Sequence, residues 1–200
     1  MYRFLMVVSA LLSYAPGYAE EPRTTEPDTA ASLSVSKTQT IDFIGKTFIL
    51  KYKETDQAVP IYEYFPDGDN PPAWNELVDF RVYPVHPDGN KPLDHARRAA
   101  ELFKQQYPHM RFALYDSKES ESVILDFFYP TSSRKDGEFL EFNSFLYYRD
   151  PGSNIVMSFH YAKNIPGMTS VRSMETVIDD LRKARAELVS AMAAFPTYTQ

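Results

Sequence analysis

Hydrophobic and polar residues alternate most regularly within residues 121–163. Val123, Leu125, Phe127 and Tyr129 share one side of an extended run. Leu140, Phe142, Leu146 and Tyr148 share one side of a second, and Ile155, Met157, Phe159 and Tyr161 one side of a third. A period of two puts alternate side chains on one face of a strand, so these runs predict three consecutive antiparallel strands. Asp150-Pro151-Gly152-Ser153 joins the last two, proline presetting one backbone angle and glycine permitting a positive one. Upstream, residues 41–44 and 48–52 read as two short strands around a tight turn, and residues 59–65, 78–83 and 111–115 as three more. Pro60 confines its end of a strand to an edge or a start. Residues 66–72 and 84–92 are loops, and Trp74-x-x-Leu77 has the spacing of one helical turn.

Two segments change period. From Pro92, which suits a first helical turn, Leu93, Ala96, Ala99, Ala100, Phe103 and Tyr107 recur every three or four residues until Pro108 ends the pattern. A final helix over residues 173–194 carries Val177, Ile178, Leu181, Ala184, Leu188, Ala191 and Met192 on one stripe, continued by Phe195. Each helix is apolar on one side only and should lie on the sheet. An antiparallel β-sheet with two amphipathic helices packed on it is an α+β fold. The element order, with the Trp74-x-x-Leu77 turn feeding the strand that holds Phe80 and Val82, resembles the PsbP/Mog1-like fold over about residues 38–195. That resemblance implies an accessory, adaptor or binding role without enzymatic activity, although fold alone does not determine function.

The amino-terminal residues are of another composition. Arg3 precedes an apolar run over 4–12, and Gly17 and Ala19 occupy the −3 and −1 positions of a signal-peptidase site, so residues 1–19 read as a signal peptide. The run is shorter than the roughly 20 residues a spanning helix needs. Residues 20–37 offer only Leu33 and Val35 for burial and read as a flexible leader, leaving 38–200 as a single domain. With 0 cysteines there is no disulfide, thiol chemistry or lipoprotein anchor, and a periplasmic or secreted location is expected. Loss of Arg3 leaves 20 of the 21 basic residues against 27 acidic ones, a balance that disfavours nucleic acid and anionic membrane.

Candidate chemistry is thin. His86, His95, His109 and His160 show no paired ligand spacing, and His160 is expected to be solvated or hydrogen-bonded on its strand. His86-x-Asp88 is the one acid–base pair a hydrolase would start from. Asp67-Gly68-Asp69-Asn70 is rich in oxygen, but the twelfth position of a calcium loop begun at Asp67 is Val78, so a polar surface turn is expected. No catalytic set, metal site or cofactor is called for.

The aromatic content remains. Phe128, Phe139, Phe145 and Tyr147 lie opposite the stripes of their strands, and a sheet apolar on both faces is either covered twice or presents one side to something else. Cover by the two helices and the early hairpin is the favoured expectation. An open face would suit a partner, and the chain reads as a non-enzymatic binding protein of accessory or immunity type, with a protein partner in the cell envelope and Tyr62, Tyr64, Trp74, Phe139, Phe145 and Tyr147 as the candidate binding residues. The alternative is a small-molecule or lipid carrier with a pocket between sheet and helices. A hydrolase using His86 and Asp88 is a third reading.

Overall fold

In a computed structural model, residues 39–70, 74–85, 90–117, 121–129, 139–150, 153–166 and 174–195 are described. The signal-peptide and leader readings therefore fall outside the described residues, as do His86 and Asp88. The strands are β1 (Thr40–Phe43), β2 (Lys46–Glu54), β3 (Ile61–Pro66), β4 (Glu76–Tyr83), β5 (Phe112–Ser117), β6 (Ser122–Tyr129), β7 (Phe139–Arg149) and β8 (Val156–Pro166). Helix α1 (Pro92–Gln106) lies between β4 and β5, and α2 (Met174–Ala194) follows β8.

All 8 strands form one sheet in the order β1-β2-β3-β4-β8-β7-β6-β5, and every neighbouring pair is antiparallel. The chain thus builds two meanders. It walks from one edge to the centre at β4, crosses through α1 to the other edge, and walks back to the centre at β8. The seam between the meanders is β4 against β8, in register from Glu76↔Lys163 to Tyr83↔Val156.

Each helix covers one face. Ala96, Ala99, Ala100 and Phe103 of α1 pack with Val123, Leu125, Phe127, Phe145 and Tyr147. Leu188 and Met192 of α2 pack on the opposite face with Phe43, Tyr64, Phe80, Phe142, Phe159 and Tyr161. Phe195, just past α2, stacks on Phe159 with ring centroids 3.9 Å apart and extends that core toward β1 and β4. Two polar clasps hold the helices in place. Arg185 of α2 donates to both Asp126 carboxylate oxygens and to the Tyr115 hydroxyl. Before α1, Asn90 binds the backbone of Asn154, accepts from His95 Nε2 at 3.1 Å and takes Arg149 on its carbonyl. His95 is therefore buried and hydrogen-bonded.

Three expectations change. Trp74 and Leu77 do meet, in a small cluster with Phe65 and Ala162, but no helical turn forms: Leu77 belongs to β4. Asp69 extends the backbone there by accepting from the Asn75 and Glu76 amides at 2.7 and 3.0 Å. Phe128 pairs with Phe142 and faces α2, whereas Phe145 and Tyr147 face α1, so these three do not share one face. Ile178, assigned to the buried stripe of the last helix, is exposed.

Ile44 and Glu121 are the non-glycine residues with positive φ among the described residues, and of the two only Ile44 is β-branched. The β1–β2 hairpin closes over Ile44 and Gly45, with Phe43 paired to Lys46 and φ values of 45° and 73°. Two successive positive φ angles are the geometry of a type I′ turn, which suits Asn-Gly and crowds a β-branched side chain. Ile44→Asn is therefore expected to raise stability by about 1 kcal/mol, read as a shift of the urea midpoint at unchanged slope.

Candidate functional site

Register decides which polar side chains meet. Glu63 lies opposite Asp79, Asp79 opposite His160, and His160 opposite Phe145, a row crossing β3, β4, β8 and β7 on one face. Arg81, Ser158 and Tyr147 form the next row along, and Leu77, Ala162 and Asn143 the row on the other side. Directly opposed residues sit close enough for their side chains to interact, and diagonal ones fall within reach of a long side chain. The result is a buried charge cluster on the face that α1 partly covers: Glu63, Asp79, Arg81, Asn143, Ser158 and His160 are all buried.

Asp79 is its hub. Arg81 Nε donates to Asp79 Oδ1 at 2.9 Å and Arg81 Nη2 to Oδ2 at 3.2 Å. His160 Nδ1 meets the same Oδ2 at 2.6 Å. His160 Nε2 lies 2.9 Å from Asn143 Oδ1, and Asn143 Nδ2 donates to Glu141 Oε1 at 3.2 Å. Phe145 forms the floor. Its ring stacks on the His160 imidazole at 3.8 Å, and the Arg81 guanidinium carbon lies 5.6 Å from its centroid. The Tyr83 hydroxyl lies 3.2 Å from Ser158 Oγ, and the Tyr147 ring packs against Tyr83 at 5.8 Å.

The two carboxylic acids in the row are pushed apart by their surroundings. Burial works against ionisation of Asp79, but Arg81 and His160 outweigh it and hold its carboxyl well below the usual range. Glu63 has no such support: burial, reinforced by the Asp79 charge, pushes its pKa up to about 8, with Arg81 only partly opposing. Burial also lowers the pKa of His160, against the pull of Asp79. At neutral pH the cluster thus holds a charged Arg81–Asp79 pair and a neutral Glu63, while a His160 that gives its one proton to Asp79 leaves Nε2 facing Asn143 Oδ1 without a hydrogen between them. Among Glu63, Asp79 and Arg81 the charges then cancel. Every member is buried, and the arrangement ties β3, β4, β7 and β8 together.

Of the residues expected to bind a partner, Tyr62, Tyr64, Phe145 and Tyr147 are buried core side chains rather than surface. Tyr62 and Tyr64 face α2 and lie opposite to Phe145 and Tyr147, so the structure does not bring the set together. Trp74 is half-buried in its own cluster, and Phe139 pairs with Pro166 at the start of β7. Asp69, in the oxygen-rich loop, spends its carboxylate on Asn75 and Glu76, as a structural turn does.

A protein-family model matches residues 35–197, a span that contains all eight strands and both helices. The chain belongs to that family. The search of curated proteins returns no match. The conserved architecture of a family is not itself a function, and the described surface has to supply the rest.

That surface offers two features. A cavity of about 160 Å³ opens between the β1–β2 turn and α2, lined by Ile44, Lys46, Glu76, Tyr161, Lys163, Ala184, Glu187 and Leu188. Its charges are largely spent on each other: Lys46 and Lys163 both bind the Glu76 carboxylate, at 2.7 and 3.0 Å. The other feature is the edge strand β5, which has β6 on one side and no other neighbour among the described strands. Phe112 and Tyr115 on it are 37% and 41% exposed.

The cluster's weight in the fold can be measured directly. Asp79→Ala removes the carboxylate that Arg81 and His160 both bind and is expected to destabilise the domain by about 3–5 kcal/mol in urea unfolding. A loss below about 1 kcal/mol would mean that the cluster is not held as described.

Proposed function

We propose that the chain is an exported, non-enzymatic binding protein that acts through protein–protein contacts in the cell envelope and receives an extended partner segment on β5. The observation that carries this reading is the character of that edge. A strand at the margin of a sheet presents backbone donors and acceptors to any chain that can pair with it, and proteins usually blunt such edges with lysine, proline or a bulge. The six residues of β5, Phe-Ala-Leu-Tyr-Asp-Ser, contain neither lysine nor proline, and their register with β6 runs unbroken from Phe112↔Phe127 to Ser117↔Ser122. Strand addition supplies affinity through the backbone and specificity through alternate side chains, here Phe112 and Tyr115 on opposite faces.

Export rests on the signal-peptide pattern of residues 1–19, and the PsbP/Mog1-like resemblance leans toward an accessory role by analogy. No helix among the described residues is long and apolar enough to cross a membrane. Among the described residues the carrier reading meets less support. The cavity beside α2 is about 160 Å³ and lined by four charged side chains, whereas drug-sized ligands occupy roughly 300–1,000 Å³ of mostly apolar space. A lipid chain would have to displace the Lys46–Glu76–Lys163 bridge.

Affinity capture from envelope extract on the mature chain, residues 20–200, tests the proposal. A stoichiometric protein is expected, lost with Phe112→Asp and with Tyr115→Asp but retained with Tyr52→Ala, an exposed aromatic on β2 away from this edge. Amides 112–117 should gain protection from hydrogen exchange in the captured complex. Capture that ignores both β5 substitutions, with circular dichroism unchanged, or a co-purifying small molecule without protein, would overturn it.

A further inference from the structure

Two atoms of charged groups in the buried cluster are left over beside the unpaired Tyr147 hydroxyl, and these two are complementary. Glu63 Oε2 accepts no hydrogen bond and Arg81 Nη1 donates none among the described residues, although both atoms are buried. The remaining groups are committed. Arg81 gives Nε and Nη2 to Asp79, and His160 gives Nδ1 to it. Glu63 and Arg81 stand diagonally across β3 and β4, since Glu63 pairs with Asp79 and Arg81 with Ile61 on the same face. A diagonal neighbour lies roughly 7–8 Å away, somewhat less between Cβ atoms, within the span of an arginine side chain.

We propose that Glu63 and Arg81 form a buried one-proton switch: with the proton on Glu63 the guanidinium turns wholly to Asp79, and without it Arg81 divides between the two carboxylates. The physical reason is the balance of charge. A buried carboxylate without a donor is expensive to ionise, so an unpartnered Glu63 stays neutral while Asp79 holds the guanidinium. Once Glu63 ionises, the core carries two carboxylates against one guanidinium. Arg81 Nη1 is then the donor at hand, and moving it weakens the fork on Asp79.

The groups that bear on Glu63 come from several elements. Glu54 of β2 and Asp79 of β4 disfavour its charge, and Arg81 favours it. Tyr83 and Tyr147 lie close to Arg81, Tyr129 of β6 also feels its charge, and Glu141 of β7 reaches the cluster through Asn143. From α1, His95 packs on the Tyr83 ring at 4.9 Å. Tyr52 of β2, directly opposite Glu63, has its pKa pushed up to about 12 and stays uncharged, so Arg81 is the one cation of this set that can neutralise a charged Glu63 at alkaline pH.

The sign of the stability effect follows from the raised pKa. Between the ordinary value of 4.5 and about 8 the unfolded chain has lost this proton and the folded chain keeps it, so stability falls as pH rises through that window. One proton corresponds to about a tenfold rise in the unfolding constant per pH unit. His160, with its lowered pKa, acts in the opposite sense below its ordinary value of 6.5, so the clean window for the wild type is pH 6.5–8.

Urea unfolding of the wild type and Glu63→Gln across pH 5–9 tests the switch, together with carbon-13 detection of the Glu63 carboxyl and nitrogen-15 detection of the Arg81 side chain in the wild type. The wild type should lose stability about tenfold per unit between pH 6.5 and 8 relative to Glu63→Gln. The Arg81 signals should move at the same pH as the Glu63 carboxyl. A Glu63 carboxyl that titrates near its ordinary 4.5, or Arg81 signals that stay fixed while it titrates, would overturn the proposal. The wild-type spectra decide the matter even if Glu63→Gln does not fold.

Discussion

The seam between the two meanders rests on a single buried carboxylate. Asp79 stands in β4, the last strand of the first meander, and accepts from its own strand through Arg81 and across the seam through His160 of β8. Such a group is tolerable in a dry sheet only when its lone pairs are filled, and breaking the set exposes a desolvated charge. It also fixes register. A slip of one residue at the seam would turn Asp79 and Arg81 toward α2, into the side that holds Val78, Phe80 and Val82. The apolar pattern of β4 permits few registers, and the cluster narrows them to one.

The rest of the molecule arranges itself around that seam. Both helices lie mainly over the second meander, α1 against β5, β6 and β7 on one face and α2 against β6 and β7 on the other. Phe145 links the two halves of the α1 face, stacking on Phe127 within the apolar core and on His160 within the polar one. On the other face the carboxyl end of α2 carries Phe195 across to Phe43 and Phe80 of the first meander. With each helix packed on one face, the margins of the sheet are where, among the described residues, strands have an unpaired side. Of these, β1 has 4 residues and β5 has 6 with two exposed aromatics, which is why the functional reading settles on β5.

Much of this was legible in the chain. Alternation predicts every strand, and three-and-four spacing predicts both helices, because each element buries a face and burial writes its period into the sequence. The failures have one cause: periodicity tells which residues share a side and says little about what covers that side. Leu77, Asp79, Arg81 and Tyr83 alternate along β4 like a water-facing strip, and Glu63 sits between two tyrosines. Tyr83, Phe145 and Tyr147 flanking those charges on the same face were the available signal that the strip is dry. The aromatic residues chosen for a binding surface went the same way, Tyr62, Tyr64, Phe145 and Tyr147 into the core. Trp74-x-x-Leu77 matched a helical spacing because four residues cannot separate one helical turn from a chain bending into a strand, and Asp69 decides for the strand.

The claim that the seam depends on this cluster is tested most directly by a double-mutant cycle across it. Asp79→Asn and His160→Gln, made singly and together, would be compared by urea unfolding at pH 7. Because the two side chains share a bond of 2.6 Å across β4 and β8, a coupling energy of about 1–3 kcal/mol is predicted. Effects that add within about 0.5 kcal/mol would contradict the account, leaving the apolar faces to hold the meanders together on their own.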